Sequence, residues 1–262
     1  MGLLEGRFGQ MPDPSDHADV RTMFGRTQVY DVEDDEGCIL RVLDVAGTWQ
    51  SASYVDERWC DLAFEYHRVF DRAFAAPISI GHALMLGVGA LSYPKHMVVA
   101  CPQAQLDVVE VDPQVVALAE RWFFIDRLDE AQRSRLNVVC DDAVAFLRAA
   151  AQNGERYDLV VNDLFAAERP TRELMSPEGL GLVREVLRPE GIYVANVVSA
   201  LKGMKARPLR KVKEALGLVF SQVEVVSLGA DQPRVPDNNV VFATNGAYSL
   251  AEALLPSSSG AS

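Results

Sequence analysis

A chain of 262 residues, with 49% hydrophobic and 24% charged side chains, carries enough apolar material for one sizeable core and a smaller appendage, which argues against disorder. Acidic residues outnumber basic ones, 37 against 25, and the formal net charge of −12 repels phosphate backbones, so nucleic acid is excluded as a partner and cationic ligands are favoured. Cys38, Cys60, Cys101 and Cys140 form no CxxC pair, the first 20 residues lack a basic leader, and no apolar run spans a membrane, so the expectation is a cytoplasmic protein without metal, disulfide framework or membrane contact.

In chain order, residues 1–25 are polar with two prolines and read as a loose arm. Three short strands follow in a small β-module over 26–55, TQVYDVE, CILRVLD and TWQSASY, separated by the turn-like DDEG and VAG. Trp59, Leu62, Ala63, Tyr66, Val69, Phe70 and Ala73 recur at helical spacing, which predicts an amphipathic helix from Asp56 to Ala75 inside a linking segment over 56–80. From residue 81 to 250, apolar runs of four to six residues alternate with helical segments: ALMLGV, LDVVEV, LNVVC, DLVVN and GIYVANVV each precede a helix. Such alternation predicts an α/β fold, a doubly wound, mostly parallel sheet. QVEVVSL and NNVVFAT have no helix between them, so they close the sheet as an antiparallel hairpin. Residues 251–262, ending in PSSSGAS, read as a disordered tail.

Ligands of open parallel sheets sit outside the carboxyl ends of the strands. The first end gives LGVGALSYPKH, where Gly87 and Gly89 let the backbone approach a ligand or simply make a tight turn. The second gives Glu110, 23 residues after Gly87 and suited to ribose hydroxyls, and Asp112, suited to cap a helix begun by Pro113. The third ends in Asp141-Asp142, of which one caps and the other is left to accept from an adenine amino group. The fourth ends in Asn162-Asp163, where a carboxylate after Leu159-Val160-Val161 either caps the next turn or does chemistry. Acidic groups after successive strands share one rim. With no third glycine for GxGxxG, the pattern favours S-adenosylmethionine or a relative over a nicotinamide cofactor.

LDVVEVDPQVV, NVVCDDAVAFL and YDLVVNDLF together resemble the spermidine synthase family, aminopropyltransferases built on the class I methyltransferase fold with an N-terminal β-module. The resemblance runs from about Thr27 to Thr244. It implies that Glu110 holds the ribose, Asp142 the adenine amino group, and Asp163 is the catalytic aspartate. Gln28 and Gln50 resemble two donor-side glutamines of the β-module, and Tyr66-His67 a pair on the linking helix that borders donor and amine. A homodimer is also implied, with decarboxylated S-adenosylmethionine as co-substrate, a small amine as acceptor and methylthioadenosine as leaving product.

Three departures accompany these matches. Ala90 stands where the family has a donor-binding aspartate, Ala166 where it has an acceptor-binding one, and VPDNNVVF where it has a tyrosine and glycines. Glu57, Glu65 or Asp237 are the carboxylates available to compensate. The rival readings are a methyltransferase using S-adenosylmethionine itself, and a non-catalytic nucleoside-binding or interaction protein of the same fold.

Overall fold

A computed structural model gives the fold, and residues 17–164 and 173–255 are described. An antiparallel sheet comes first, β1 (Ala18–Thr22), β2 (Gly25–Glu33), β3 (Ile39–Val45) and β4 (Thr48–Tyr54), paired in that order. The module is therefore one strand larger than the sequence suggests: β1 occupies part of the expected arm. Its Asp19, Val20 and Arg21 are exposed, as on an edge strand, so no alternation marks it.

The expected helix from Asp56 is corrected to α1 (Glu65–Phe70) followed by a 3₁₀ turn over Asp71–Ala75. Tertiary donors explain the loss of the first half. The carbonyls of Asp56, Cys60 and Leu62 accept from Arg127, His96 and Arg68 side chains, so they are spent outside an α-helical ladder.

The second sheet has the order β10-β11-β9-β8-β5-β6-β7. Its parallel strands are β5 (His82–Leu86), β6 (Gln105–Glu110), β7 (Leu136–Cys140), β8 (Tyr157–Asn162) and β9 (Leu187–Ser199). The closing hairpin is β10 (Gln222–Ser227) with β11 (Asp237–Thr244), and β11 is inserted antiparallel beside β9. Helices α2 (Ser92–Ala100), α3 (Pro113–Trp122), α4 (Glu130–Arg133), α5 (Ala143–Asn153), α6 (Pro177–Val186) and α7 (Arg207–Gly217) fill the connections. A short α8 (Leu250–Ala253) with buried Leu250 and Leu254 extends the packed region past residue 250; the PSSSGAS tail lies outside the described residues.

Period-two alternation sorts each central strand between two cores. Ala83, Met85, Leu159, Val161, Ile192, Val194, Val240 and Phe242 face the layer containing Phe70, while Leu84, Leu86, Val160, Tyr193, Ala195 and Val241 face the layer containing Leu209, Val212 and Leu216. Burying each Val, Leu, Ile, Met or Phe among these contributes about 1.5–3 kcal/mol, and truncating Leu86, which is fully buried, to Ala would cost about 2–5 kcal/mol. Among the described residues, no helix is long and apolar enough to cross a membrane.

Strand order reverses between β5 and β8, because β6 and β7 lie to one side and β9 to the other. That switch point opens a crevice at the carboxyl ends of both strands. The residues at the crevice are Gly87, after β5, and Asp163, after β8.

Candidate active site

Asp163 is held by hydrogen bonds to three elements. Its backbone N–H donates to Leu86 O at 2.9 Å, tying the β8 end to β5. Oδ2 accepts from Tyr66 Oη at 3.1 Å and faces His67 Nε2 at 3.0 Å; Oδ1 has a longer contact, 3.4 Å, from Asn196 Nδ2. His67 is buried and the Asp163 side chain is 14% exposed, so the carboxylate is partly desolvated yet reachable. Burial first, then the Asp163 carboxylate, pushes the Tyr66 phenol well above its ordinary pKa, so it remains a hydrogen-bond donor. Among the described residues, the Asp163 side chain accepts from α1 and β9. The neighbouring Asn162 shapes the turn, accepting from Leu164 N at 3.2 Å while its amide donates to Tyr193 Oη at 2.8 Å.

The glycine loop sits directly against this turn. Gly87 has φ +88°, and a Cβ there would lie 2.9 Å from Asp163 O; Gly89 has φ +47°, with Gln50 O and Ser51 Cβ each 3.4 Å from a Cβ built on it. Both glycines are therefore required by backbone conformation, and Gly87 also by close approach. Glu110, 7% exposed, accepts from Val88 N at 3.2 Å through one oxygen and from Asp112 N at 3.0 Å through the other. Burial raises its pKa, and those backbone donors pull against the rise. Asp112 caps α3 as expected, accepting from Gln114 N at 2.9 Å, and its other oxygen accepts from Met23 N of the β-module.

Asp142 turns out to be the cap of α5. Oδ1 accepts from Val144 N and Ala145 N at 3.0 and 2.9 Å, which leaves Oδ2 free of these bonds on the rim beside Asp141. Gln50 is the bulged residue of β4, where the register shifts opposite Leu43/Asp44, and its Nε2 is buried without a hydrogen-bond partner. Gln28 is placed differently: its amide contacts Asp19 Oδ2 of β1, at 3.4 Å. Ala90 is fully buried and offers no charge to the loop, while Ala166 lies outside the described residues. Glu57 and Glu65 are exposed, and Asp237 Oδ1 is engaged by Asn238 N at 2.7 Å.

Asn196 was not singled out by sequence. It donates to Asp163 and, at 3.0 Å, to Asn238 Oδ1, and its own Oδ1 is buried without a partner. The signal was available, because Asn196 follows Ala195, the partner of Asn162 in the adjacent strand, and so belongs to the same set of strand ends.

The spermine/spermidine synthase domain matches residues 90–245. A polyamine aminopropyltransferase from Vibrio vulnificus is 28% identical over 153 residues, a match covering 58% of this chain and 50% of that protein, so the chain spans about half the length of that curated relative. Among solved structures, a probable spermidine synthase from Corynebacterium glutamicum superposes with TM-score 0.72 at 20% identity, covering 91% of this chain and 82% of its own. Human methyltransferase-like protein 13, solved with SAH, superposes with TM-score 0.58 at 21% identity, covering 73% of this chain and 90% of its own. These likenesses show the fold: a class I methyltransferase sheet with a small β-module before it.

Proposed function

We propose, for a chain that belongs to the spermine/spermidine synthase domain family, transfer of the aminopropyl group of decarboxylated S-adenosylmethionine to a small amine. The observation that carries this reading is the Asp163 carboxylate at the switch point, oriented by Tyr66, His67 and Asn196 and backed by the glycine loop. The residues on the rim fit a nucleoside-bearing donor: Gln50 Nε2 is a buried donor in need of an acceptor, Glu110 closes the second strand end, and Asp142 Oδ2 is free of cap bonds. The donor's sulfonium makes the adjoining methylene electrophilic. Asp163 takes or relays the proton of the incoming ammonium, whose freed lone pair forms the new C–N bond as the C–S bond breaks and methylthioadenosine leaves.

A second reading, methyl transfer from S-adenosylmethionine, draws on Ala90: a buried methyl group there supplies no carboxylate for the donor's amino group, so selectivity for the decarboxylated donor has lost one anchor. Incubation with each donor and a panel of amines separates the two. Methylthioadenosine formed only with an amine present supports aminopropyl transfer, and adenosylhomocysteine supports methyl transfer. A ligand that binds the native state alone raises stability with the logarithm of its excess over Kd. A melting temperature unmoved by saturating methylthioadenosine and adenosylhomocysteine overturns both readings.

A further inference from the structure

The most basic segment of this acidic protein lies away from the catalytic rim. Lys202, Lys205, Arg207, Arg210, Lys211 and Lys213 are six of the chain's 25 Lys and Arg, and no acidic residue interrupts them. All six are exposed, and none of their side chains has a hydrogen bond or ion pair among the described residues. They line the outer face of α7 and the loop before it, while Leu209, Val212 and Leu216 anchor the helix to the core layer opposite the one containing Phe70 of α1. The basic face and the Asp163 site thus belong to opposite faces of the sheet. A cavity of about 260 Å³ opens in this face, with Ala200, Leu201, Ala206, Leu209 and Val225 forming apolar walls and Arg210 and Lys213 supplying the charge.

We infer that this face is a docking site for a short acidic protein segment, rich in Asp or Glu and carrying one aliphatic side chain that enters the cavity. Charge complementarity selects an anionic partner: six exposed cations concentrated in 12 residues stand out from a chain whose acidic groups dominate elsewhere. The cavity selects its form, since apolar walls beside Arg210 and Lys213 suit an aliphatic anchor with neighbouring carboxylates. A nucleic acid fits poorly. The segment 201–217 contains no aromatic residue on which a base could stack, and a helix of 11 residues, about 16 Å long, is flanked by a net-acidic surface that repels a longer polyanion.

The full chain is tested by fluorescence anisotropy with a fluorescein-labelled acidic dodecapeptide bearing a central leucine, at low and high salt. Saturable binding is expected that weakens as the Debye length shrinks. Arg210→Glu with Lys213→Glu should weaken it by about 10-fold or more at an unchanged melting temperature, as expected when exposed charges facing the partner are reversed. Replacing the peptide's leucine with serine should weaken it several-fold. Absence of saturable binding at low salt, binding indifferent to the double variant, or binding indifferent to the leucine overturns the inference. Tighter binding of single-stranded RNA or duplex DNA of equal charge also overturns it, reassigning the face to nucleic acid.

Discussion

Gly87 and Asp163 meet backbone to backbone: a Cβ on Gly87 would lie 2.9 Å from the Asp163 carbonyl oxygen and 3.1 Å from its carbon. The contact joins the end of β5 to the end of β8 across the switch point, so the loop that would receive the donor and the turn that carries the carboxylate share one wall. Gly87→Ala must displace one of them. The φ of +88° alone costs a non-glycine residue roughly 1–3 kcal/mol, and the backbone collision adds to it. The variant should therefore melt lower and lose methylthioadenosine affinity together. Gly181→Ala is the control: a Cβ there meets nothing within 4 Å, and alanine in a helix interior stabilises by about 0.5–1 kcal/mol. Equal melting temperatures for the two variants would remove the shared wall from the account.

Glu110→Gln should cost more than the affinity expected from losing a charge that binds ribose. Both carboxylate oxygens already accept backbone N–H groups, from Val88 and from Asp112. A glutamine amide has one acceptor oxygen and must turn its NH₂ towards one of these donors. Leaving a buried donor unsatisfied costs about 1–3 kcal/mol, so thermal stability and methylthioadenosine affinity should both fall. An isothermal titration and a melting curve on one preparation check this, and an unchanged melting curve would show that the two backbone bonds are dispensable.

Lys95 makes stability depend on pH in a direction opposite to that of a paired lysine. It is fully buried in α2, with Nζ donating to Ser53 Oγ at 2.7 Å and Phe123 O at 3.0 Å, and with the rings of Trp59 and Phe124 5.9 and 5.5 Å away. Burial, helped by Arg127 and Arg41 and opposed by Cys60, lowers its pKa from 10.5 to about 7. Below pH 7 the native and unfolded chains both carry the proton, and the penalty of the buried charge is present in full. Between pH 7 and 10.5 the unfolded chain binds the extra proton, so stability rises with pH by an amount on the order of 5 kcal/mol. Denaturant unfolding of the wild type and Lys95→Met at pH 7 and pH 10 checks the sign: the free-energy difference, wild type minus variant, should grow with pH. A difference that stays flat would mean that the native amine keeps its charge.

Much of the seven-stranded sheet was legible because β5, β6, β8 and β9 are buried on both faces and read as apolar runs ending in polar residues. The rim followed from those ends: Gly87, Glu110, Asp142 and Asp163 all lie where strand meets loop. What was illegible depends on distant partners. Nothing local shows that Asp56, Cys60 and Leu62 surrender their carbonyls to Arg127, His96 and Arg68, so hydrophobic spacing overstated the linking helix. β1 escaped because an exposed edge strand needs no alternation. Of the aspartate pair at the end of β7, either could cap; only the fold assigns the role to Asp142. Asn196 matters through its contact with Asp163, 33 residues away in sequence, which strand order alone creates.

Asp163→Asn separates an orienting role from a chemical one. The asparagine Oδ1 can accept from Tyr66 and His67 as the carboxylate Oδ2 does, so these contacts from α1 persist. Its Nδ2 then faces Asn196 Nδ2, two donors together. Asn196 can relieve this by rotating its amide, because its Oδ1 is buried and without a partner, at the expense of the bond to Asn238 Oδ1. The rotation leaves the Asn196 amide nitrogen as a buried donor without an acceptor, so stability should fall by about 1–3 kcal/mol. Methylthioadenosine binding should stay near wild type, since Glu110 and Gln50 are untouched. Turnover should fall by roughly 10²- to 10⁴-fold, because the amide cannot take the amine's proton. Raising the pH supplies more free amine and should recover part of that loss in the variant, which single-turnover assays at pH 7 and pH 9 would read directly. Full activity of Asp163→Asn at pH 7 would leave the carboxylate a positioning residue of the turn and remove proton transfer from its role.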